Sequence, residues 1–270
     1  MNSLRKTAAA AAISLIVLAA ACSGGAQRPV FNKPADADAI KALLQNAAPL
    51  TQQDGIAAAI LLDTTGSMSD EIRGADLTKK PKLRIAQQAL RNLLQQFAAF
   101  AKKHPDKKIL VGVYEFSTRS DQPACRQIFQ LAPPDPAAAE AAIQALKAEG
   151  STPIGDAMIA AKRDLDATGM SRRHILVITD GENNRGYMPG DVTRVISQEP
   201  EAARAAVYFI ALDVGAEVFD PVKESGGLVL SAQGEQQLAD TLDYILTGKI
   251  LVEQPATPST PPHPSVIIRK

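Results

Sequence analysis

Residues 56–68 read IAAAILLDTTGSM. The run is apolar from Ile56 to Leu62 without a polar residue at alternate positions; Asp63 then ends it, and hydroxyls follow at Thr65 and Ser67. A strand covered on one face alternates apolar and polar residues, whereas a strand buried on both faces stays apolar. The stretch therefore predicts a central strand of a largely parallel sheet with helices on both sides. Residues 109–116 (ILVGVYEF), 174–180 (HILVITD) and 206–213 (AVYFIALD) have the same character. Residues 127–131 (QIFQL) are fewer and alternate, as an edge strand does, and 227–231 (GLVLS) supply a sixth strand.

Between these runs lie helical patterns. In residues 82–102, Leu83, Ala86, Leu90, Leu93, Leu94, Phe97 and Phe100 recur at spacings of three and four and form one apolar stripe. Residues 136–148 follow an N-cap candidate, Asp135, and open on Pro136. Residues 153–167, 191–197 and 235–246 follow the same logic. A further short helix, over 36–48, has Asp36 or Asp38 as cap and Ala39, Ile40, Leu43 and Leu44 on one side. Strand and helix alternating over roughly 200 residues predict a doubly wound α/β domain.

In an open parallel sheet, ligands bind beyond the carboxyl ends of the strands, where loops converge and helix N-termini point outward. Two of the strongest strands end there in an aspartate, Asp63 and Asp180. Either alone could simply cap the next turn. The two strands, however, carry matched polar loops. DTTGS (63–67) offers Asp63, Thr65 and Ser67; GSTPIGDAM (150–158) offers Thr152, also an N-cap candidate for a helix opening at Pro153; ITDGENN (178–184) offers Asp180. Carboxylates and hydroxyls are hard oxygen donors, as Mg²⁺ requires for near-octahedral coordination at about 2.0 to 2.1 Å. The polar stretch 69–82 (SDEIRGADLTKKPK) would lie beside this face, as a solvated loop or as a rim that selects a partner.

These three loops, in this order and between these strands, resemble the von Willebrand factor A (VWA) domain, over residues 55–246. Asp63, Thr65 and Ser67 match the DxSxS motif with threonine for its first serine, Thr152 matches the threonine loop, and Asp180 the second acidic loop. The resemblance implies a six-stranded, mostly parallel sheet in the order 3-2-1-4-5-6 with one short antiparallel strand, here QIFQL. It also implies a metal-ion-dependent adhesion site built from Asp63, Thr65, Ser67, Thr152 and Asp180. The ion would be Mg²⁺, with Mn²⁺ or Ca²⁺ as alternatives, and would keep a position open for a Glu or Asp side chain of a partner protein. Thr152 would engage chiefly when that partner is bound.

The first residues have a different purpose. Arg5 and Lys6 precede an uncharged, largely apolar run over 8–21. That run is short against the roughly 20 residues a membrane-spanning helix needs, so it reads as an export signal. Ala19, Ala20 and Ala21 directly before Cys22 resemble the lipobox of bacterial lipoproteins, which implies acylation of Cys22 as the mature N-terminus. An ordinary secretory signal cleaved after Ala21 is the alternative. Several acyl chains, at about 0.8 kcal/mol per buried methylene, would hold the protein on a membrane. Ser23, where inner-membrane retention in some bacteria uses aspartate, favours the outer membrane of a bacterial envelope. The expected organisation is a signal over 1–21, a tether and short helix over 22–54, the VWA domain over 55–248 and a proline-rich tail over 249–270.

Charge and chemistry exclude several function classes. Lys plus Arg and Asp plus Glu number 29 each. Loss of Arg5 and Lys6 with the signal leaves 27 basic against 29 acidic side chains, a formal charge of −2, so no basic field exists for nucleic acid. His104 lies in KKHPDKK, His174 opens a strand and His263 lies in the tail, none beside a nucleophile, and no GxxxxGK phosphate loop occurs. A metal-dependent phosphatase or phosphotransferase of Rossmann-like fold could use Asp63 as nucleophile but needs an acid two residues on, where Thr65 stands. With Cys22 lipidated, Cys125 has no intramolecular partner and reads as a buried apolar cysteine beside a strand. The expectation is a binding module rather than an enzyme, the alternatives being that phosphotransfer enzyme or a structural VWA scaffold without metal.

Overall fold

The computed structural model describes residues 31–45, 52–119 and 123–253; the export segment, Cys22 and the proline-rich residues after 253 lie outside the described residues. Strands β1 (Gln53–Asp63), β2 (Ile109–Phe116), β3 (Cys125–Ala132), β4 (Met170–Thr179), β5 (Ala205–Leu212) and β6 (Leu228–Ala232) make one six-stranded sheet. Their order is β3-β2-β1-β4-β5-β6, all pairs parallel except the edge pair of β2 with β3. This is the doubly wound order and the antiparallel strand that the resemblance implies. β1 lies between β2 and β4, and Ile60 stands beside Val113 on one side and Leu176 on the other. The chain winds outward in opposite directions from this strand, so the crevice at its carboxyl end is the topological switch point.

Helices α1 (Ala37–Leu44), α2 (Lys82–Lys103), α3 (Pro136–Gln144), α4 (Ile154–Ala167), α5 (Pro189–Ser197), α6 (Asp220–Glu224) and α7 (Glu235–Ile245) cover the two faces. The alternation of β1 assigns its residues to two cores. Ile56, Ala58, Ile60 and Leu62 pack with Leu90, Leu94 and Phe97 of α2 and Leu238 and Leu242 of α7. Ala57, Ala59 and Leu61 pack on the other face with Ile154, Met158 and Leu165 of α4 and Val192 of α5. Because both faces are buried, β1 carries no polar residue between Ile56 and Leu62.

Four segments differ from the sequence expectation. Residues 31–35 are not tether: Phe31–Asn32 pairs in parallel with Arg185–Gly186, and the Lys33 N–H donates to the Gly186 carbonyl at 2.7 Å. Asp36 caps α1 by accepting from the Asp38 and Ala39 N–H groups. Ile40 and Leu44 are buried, while Leu43 is exposed, since the two successive turns of so short a helix offer one contact line at i and i+4. Within the stretch 69–82, residues 71–81 form a β-hairpin rather than a loop, with Glu71–Arg73 antiparallel to Lys79–Pro81. Glu235, at the start of α7, ties the hairpin down by accepting from the Ala75 N–H at 2.8 Å and from Lys80 Nζ at 3.1 Å. At the other end the fold continues past 248: a π-helical turn over Leu246–Ile250 buries Ile250 and Leu251, and Arg172 donates to the Glu253 carbonyl at 2.9 Å. Among the described residues no helix is long and apolar enough to cross a membrane.

Candidate metal centre

β1 delivers Asp63 to the switch point with no solvent exposure. Its Oδ1 accepts from the Thr65 N–H at 2.7 Å and its Oδ2 from the Thr179 hydroxyl at 2.6 Å. The first bond is an Asx-type turn, which bends the chain directly into a 3₁₀ turn over Gly66–Ser69. That turn brings the hydroxyls of Thr65 and Ser67 to 3.3 Å from each other, and Ser67 Oγ donates to Asp180 Oδ1 at 2.7 Å. Asp63, Thr65, Ser67 and Asp180 thus form one connected cluster.

The threonine loop is sewn to the first loop through its backbone. The Gly66 N–H donates to the Gly150 carbonyl at 3.2 Å and the Glu149 N–H to the Thr64 carbonyl at 2.8 Å. Gly150 has φ +88, and a Cβ there would stand 2.3 Å from the Thr118 carbonyl oxygen, so no other residue fits. Thr152 donates its N–H to Asn184 Oδ1 at 2.8 Å and accepts from the Asn184 N–H at 3.1 Å, which joins the second loop to the third.

Thr152 does not cap α4. The helix begins at Ile154, and its first N–H groups are taken by a residue from another loop: Asn183 Oδ1 accepts from Ile154 at 2.8 Å and from Gly155 at 3.4 Å. The Thr152 hydroxyl, on a residue only 3% exposed, has no hydrogen-bond partner among the described residues. Asn183 also donates to Asn32 Oδ1 at 2.9 Å and to the Arg185 carbonyl at 3.0 Å. Asn183→Ala leaves several buried groups unpaired at once and is expected to cost about 2 kcal/mol or more, read as a lower urea midpoint at constant m-value.

The electrostatics of the cluster are uneven. Burial, and then the neighbouring Asp180 charge, push the Asp63 carboxyl up to about 7 against the opposing hydrogen bonds from Thr179 and Thr65. No Lys, Arg or His pairs with Asp63 among the described residues. Asp180 is compensated: its Oδ2 accepts from Lys82 Nζ at 3.1 Å, and the same ammonium lies 3.2 Å from Asp213 Oδ2. Burial alone would lower the Lys82 pKa, but the charges and hydrogen bonds of Asp180 and Asp213 outweigh it and raise it.

Sequence reasoning missed three of these residues. Asp213 follows β5 as Asp63 ends β1, so its apolar-run-then-aspartate pattern was a usable signal; it sits at φ +59, which aspartate tolerates better than most residues. Asn183 lay inside ITDGENN without an assigned role. Lys82 had no local signal, since its partner Asp180 is 98 residues away.

The donor set fits a hard divalent cation. It holds only oxygen, includes a buried carboxyl that no cation pairs among the described residues, and places a second carboxylate one serine hydroxyl away. Among the described residues no group of three or more His, Cys, Asp or Glu side chains could hold a metal ion. An ion here would rest on two carboxylates completed by hydroxyls, a donor set that suits Mg²⁺ far better than Zn²⁺. Away from this cluster, burial pushes the Cys125 thiol up to about 12 and His174 down to about 3, which disfavours a thiolate at the one and an imidazolium at the other.

Residues 58–182 match the family model of the von Willebrand factor type A domain. No curated protein sequence matches the chain. Among solved structures, the PilB minor pilin from Streptococcus sanguinis is similar at 18% identity and a TM-score of 0.56, over 74% of this chain and 62% of the pilin, so less than two thirds of that protein is matched. The vWF domain of the type V pili tip protein Mfa5 from Porphyromonas gingivalis is similar at 11% identity and a TM-score of 0.56, over 76% of this chain and 98% of that domain. BatB from Bacteroides thetaiotaomicron is similar at 14% identity and a TM-score of 0.54, over 72% of this chain and 98% of BatB. At these identities the likeness is one of fold.

Proposed function

We propose that this chain, which carries a von Willebrand factor type A domain and with it a protein-interaction module, captures a partner protein through a Mg²⁺-dependent adhesion site and catalyses nothing itself. The observation that supports this reading is the hydrogen-bonded cluster of Asp63, Thr65, Ser67 and Asp180, built on a buried carboxyl that no cation pairs among the described residues, with Thr152 on the loop bonded to it through Gly66 and Gly150. Asp63, Thr65, Ser67 and Asp180 would hold the ion, with Mn²⁺ or Ca²⁺ as substitutes. When bound, Mg²⁺ would supply positive charge to a Glu or Asp side chain of the partner. The loop hydroxyls are already oriented by Asp63 and Asp180, so little ordering entropy remains to be lost on binding.

A phosphotransfer role for Asp63 is disfavoured by the same geometry. Both its oxygens accept hydrogen bonds in a fully buried position, and Thr65 occupies the place of the acid such chemistry needs. Titration calorimetry with Mg²⁺ tests the site directly: one binding event is expected, and the absence of any divalent binding overturns the reading.

The same proposal places the protein on the bacterial envelope, anchored by lipid on Cys22 and on the outer membrane in preference to the inner. Its support is the Ala19-Ala20-Ala21-Cys22 junction with Ser23 behind it. Cys22→Ala should leave the protein as precursor or release it in soluble form. A wild-type mature N-terminus without acyl mass ends the anchoring proposal and leaves the adhesion site untouched.

A further inference from the structure

The excursion from Ser67 to Lys82 leaves the cluster and returns to it. Ser67 closes on Asp180 Oδ1 at 2.7 Å, the hairpin over residues 71–81 follows, and Lys82 closes on Asp180 Oδ2 at 3.1 Å. Both oxygens of this aspartate are therefore held by the two ends of one segment. The return is fixed in the backbone, because the Lys82 N–H donates to the Asp70 carbonyl at 2.8 Å just where α2 begins. The Lys82 side chain is 8% exposed, and its ammonium also meets Asp213 Oδ2 at 3.2 Å. A buried ammonium persists only where partners repay its desolvation.

At this edge the carboxyls of Asp180 and Asp213 share the Lys82 ammonium, while among the described residues no cation pairs with Asp63. We infer that Lys82 is a tethered cation of the metal centre: it holds Asp180 and Asp213 together in the metal-free protein and, by its charge, weakens binding of the divalent ion. This inference rests on the Mg²⁺ reading proposed above. It differs from a merely structural salt bridge in sign. A structural role would make loss of Lys82 misplace Asp180 and weaken the metal. A tethered cation makes its loss strengthen the metal, because a unit positive charge 3.1 Å from an oxygen of Asp180 would oppose a dication held by the same carboxylate.

The test uses two variants of the full chain, Lys82→Met and Asp213→Asn. Methionine keeps an unbranched chain without the charge, and asparagine tolerates the left-handed backbone of position 213. Mg²⁺ titration calorimetry should show affinity raised about tenfold or more in Lys82→Met and lowered in Asp213→Asn, where the ammonium falls undivided on Asp180. In chelator, Lys82→Met should melt below wild type, and saturating Mg²⁺ should raise its melting temperature by more than it raises that of wild type. Equal or weaker Mg²⁺ affinity in Lys82→Met, or tighter affinity in Asp213→Asn, overturns the assignment while wild-type binding keeps the adhesion site standing. Binding by Lys82→Met alone would support the tethered cation and place it in full command of the site. No Mg²⁺ binding by any of the three proteins overturns both readings.

Discussion

Asp63→Asn is expected to abolish Mg²⁺ binding and, in the metal-free protein, to remove a fall in stability that wild type shows between about pH 4 and pH 7. The folded Asp63 carboxyl titrates at about 7 against 3.8 for the unfolded group, because burial and Asp180 disfavour its charge. An acid with a raised pKa binds its proton more tightly when folded. Between those two values the native state therefore holds more protons than the unfolded one, and stability declines as pH rises. The slope approaches about 1.4 kcal/mol per pH unit inside the window and vanishes above it.

Asparagine has the shape of aspartate and still accepts from the Thr65 N–H, while the Thr179 hydroxyl can turn its proton away and accept from the amide. The variant should keep the fold and lose both the slope and the ion. Urea titrations in chelator from pH 4 to pH 8, paired with Mg²⁺ calorimetry at neutral pH, check this. Wild-type Mg²⁺ affinity in Asp63→Asn would sink the metal assignment and leave Asp63 as the turn-forming residue its bond to Thr65 already makes it.

Capture of the partner protein is expected to vanish in chelator, return with Mg²⁺, and fall about tenfold to a hundredfold in Thr152→Ala while the Mg²⁺ affinity changes little. The argument is geometric. Asp63, Thr65, Ser67 and Asp180 are tied to one another before any ligand arrives, whereas the Thr152 hydroxyl has no hydrogen-bond partner among the described residues and its backbone is held in place by Asn184. Alanine at 152 removes the hydroxyl without moving the loop or uncapping α4, which Asn183 serves. Binding should also be lost when a single Glu or Asp of the partner is replaced, and this separates metal-bridged capture from unspecific adhesion. Capture that ignores chelator would refute the proposed mode, and metal-dependent hydrolysis of a phosphate ester that disappears in Asp63→Asn would promote the enzymatic alternative.

What the sequence determined by itself is the part governed by burial. The apolar runs at 56–62 and 175–178 read as strands covered on both faces, and the three- and four-residue spacing from Leu83 to Phe97 as a helix lying on one, and both are found so. Because strand-end loops of such a sheet converge, Asp63, Thr65, Ser67 and Asp180 were legible as neighbours from their positions after predicted strands, whereas Thr152, which follows a helix, was assigned to them only by the resemblance to the von Willebrand factor A domain. Tertiary structure alone decided the polar pairings. Glu235 turns residues 71–81 into a hairpin, Asn183 takes the cap that Thr152 stood ready to fill, residues 31–35 find Gly186, and Lys82 divides its charge between Asp180 and Asp213. The reason is physical: apolar burial repeats with the period of the local backbone and is written along the chain, whereas a hydrogen bond or ion pair needs one atom at one place and leaves no period to read. Which groups meet at the carboxyl edge is set by the order of the strands, and for Lys82 and Asp180 that order brings together residues 98 positions apart.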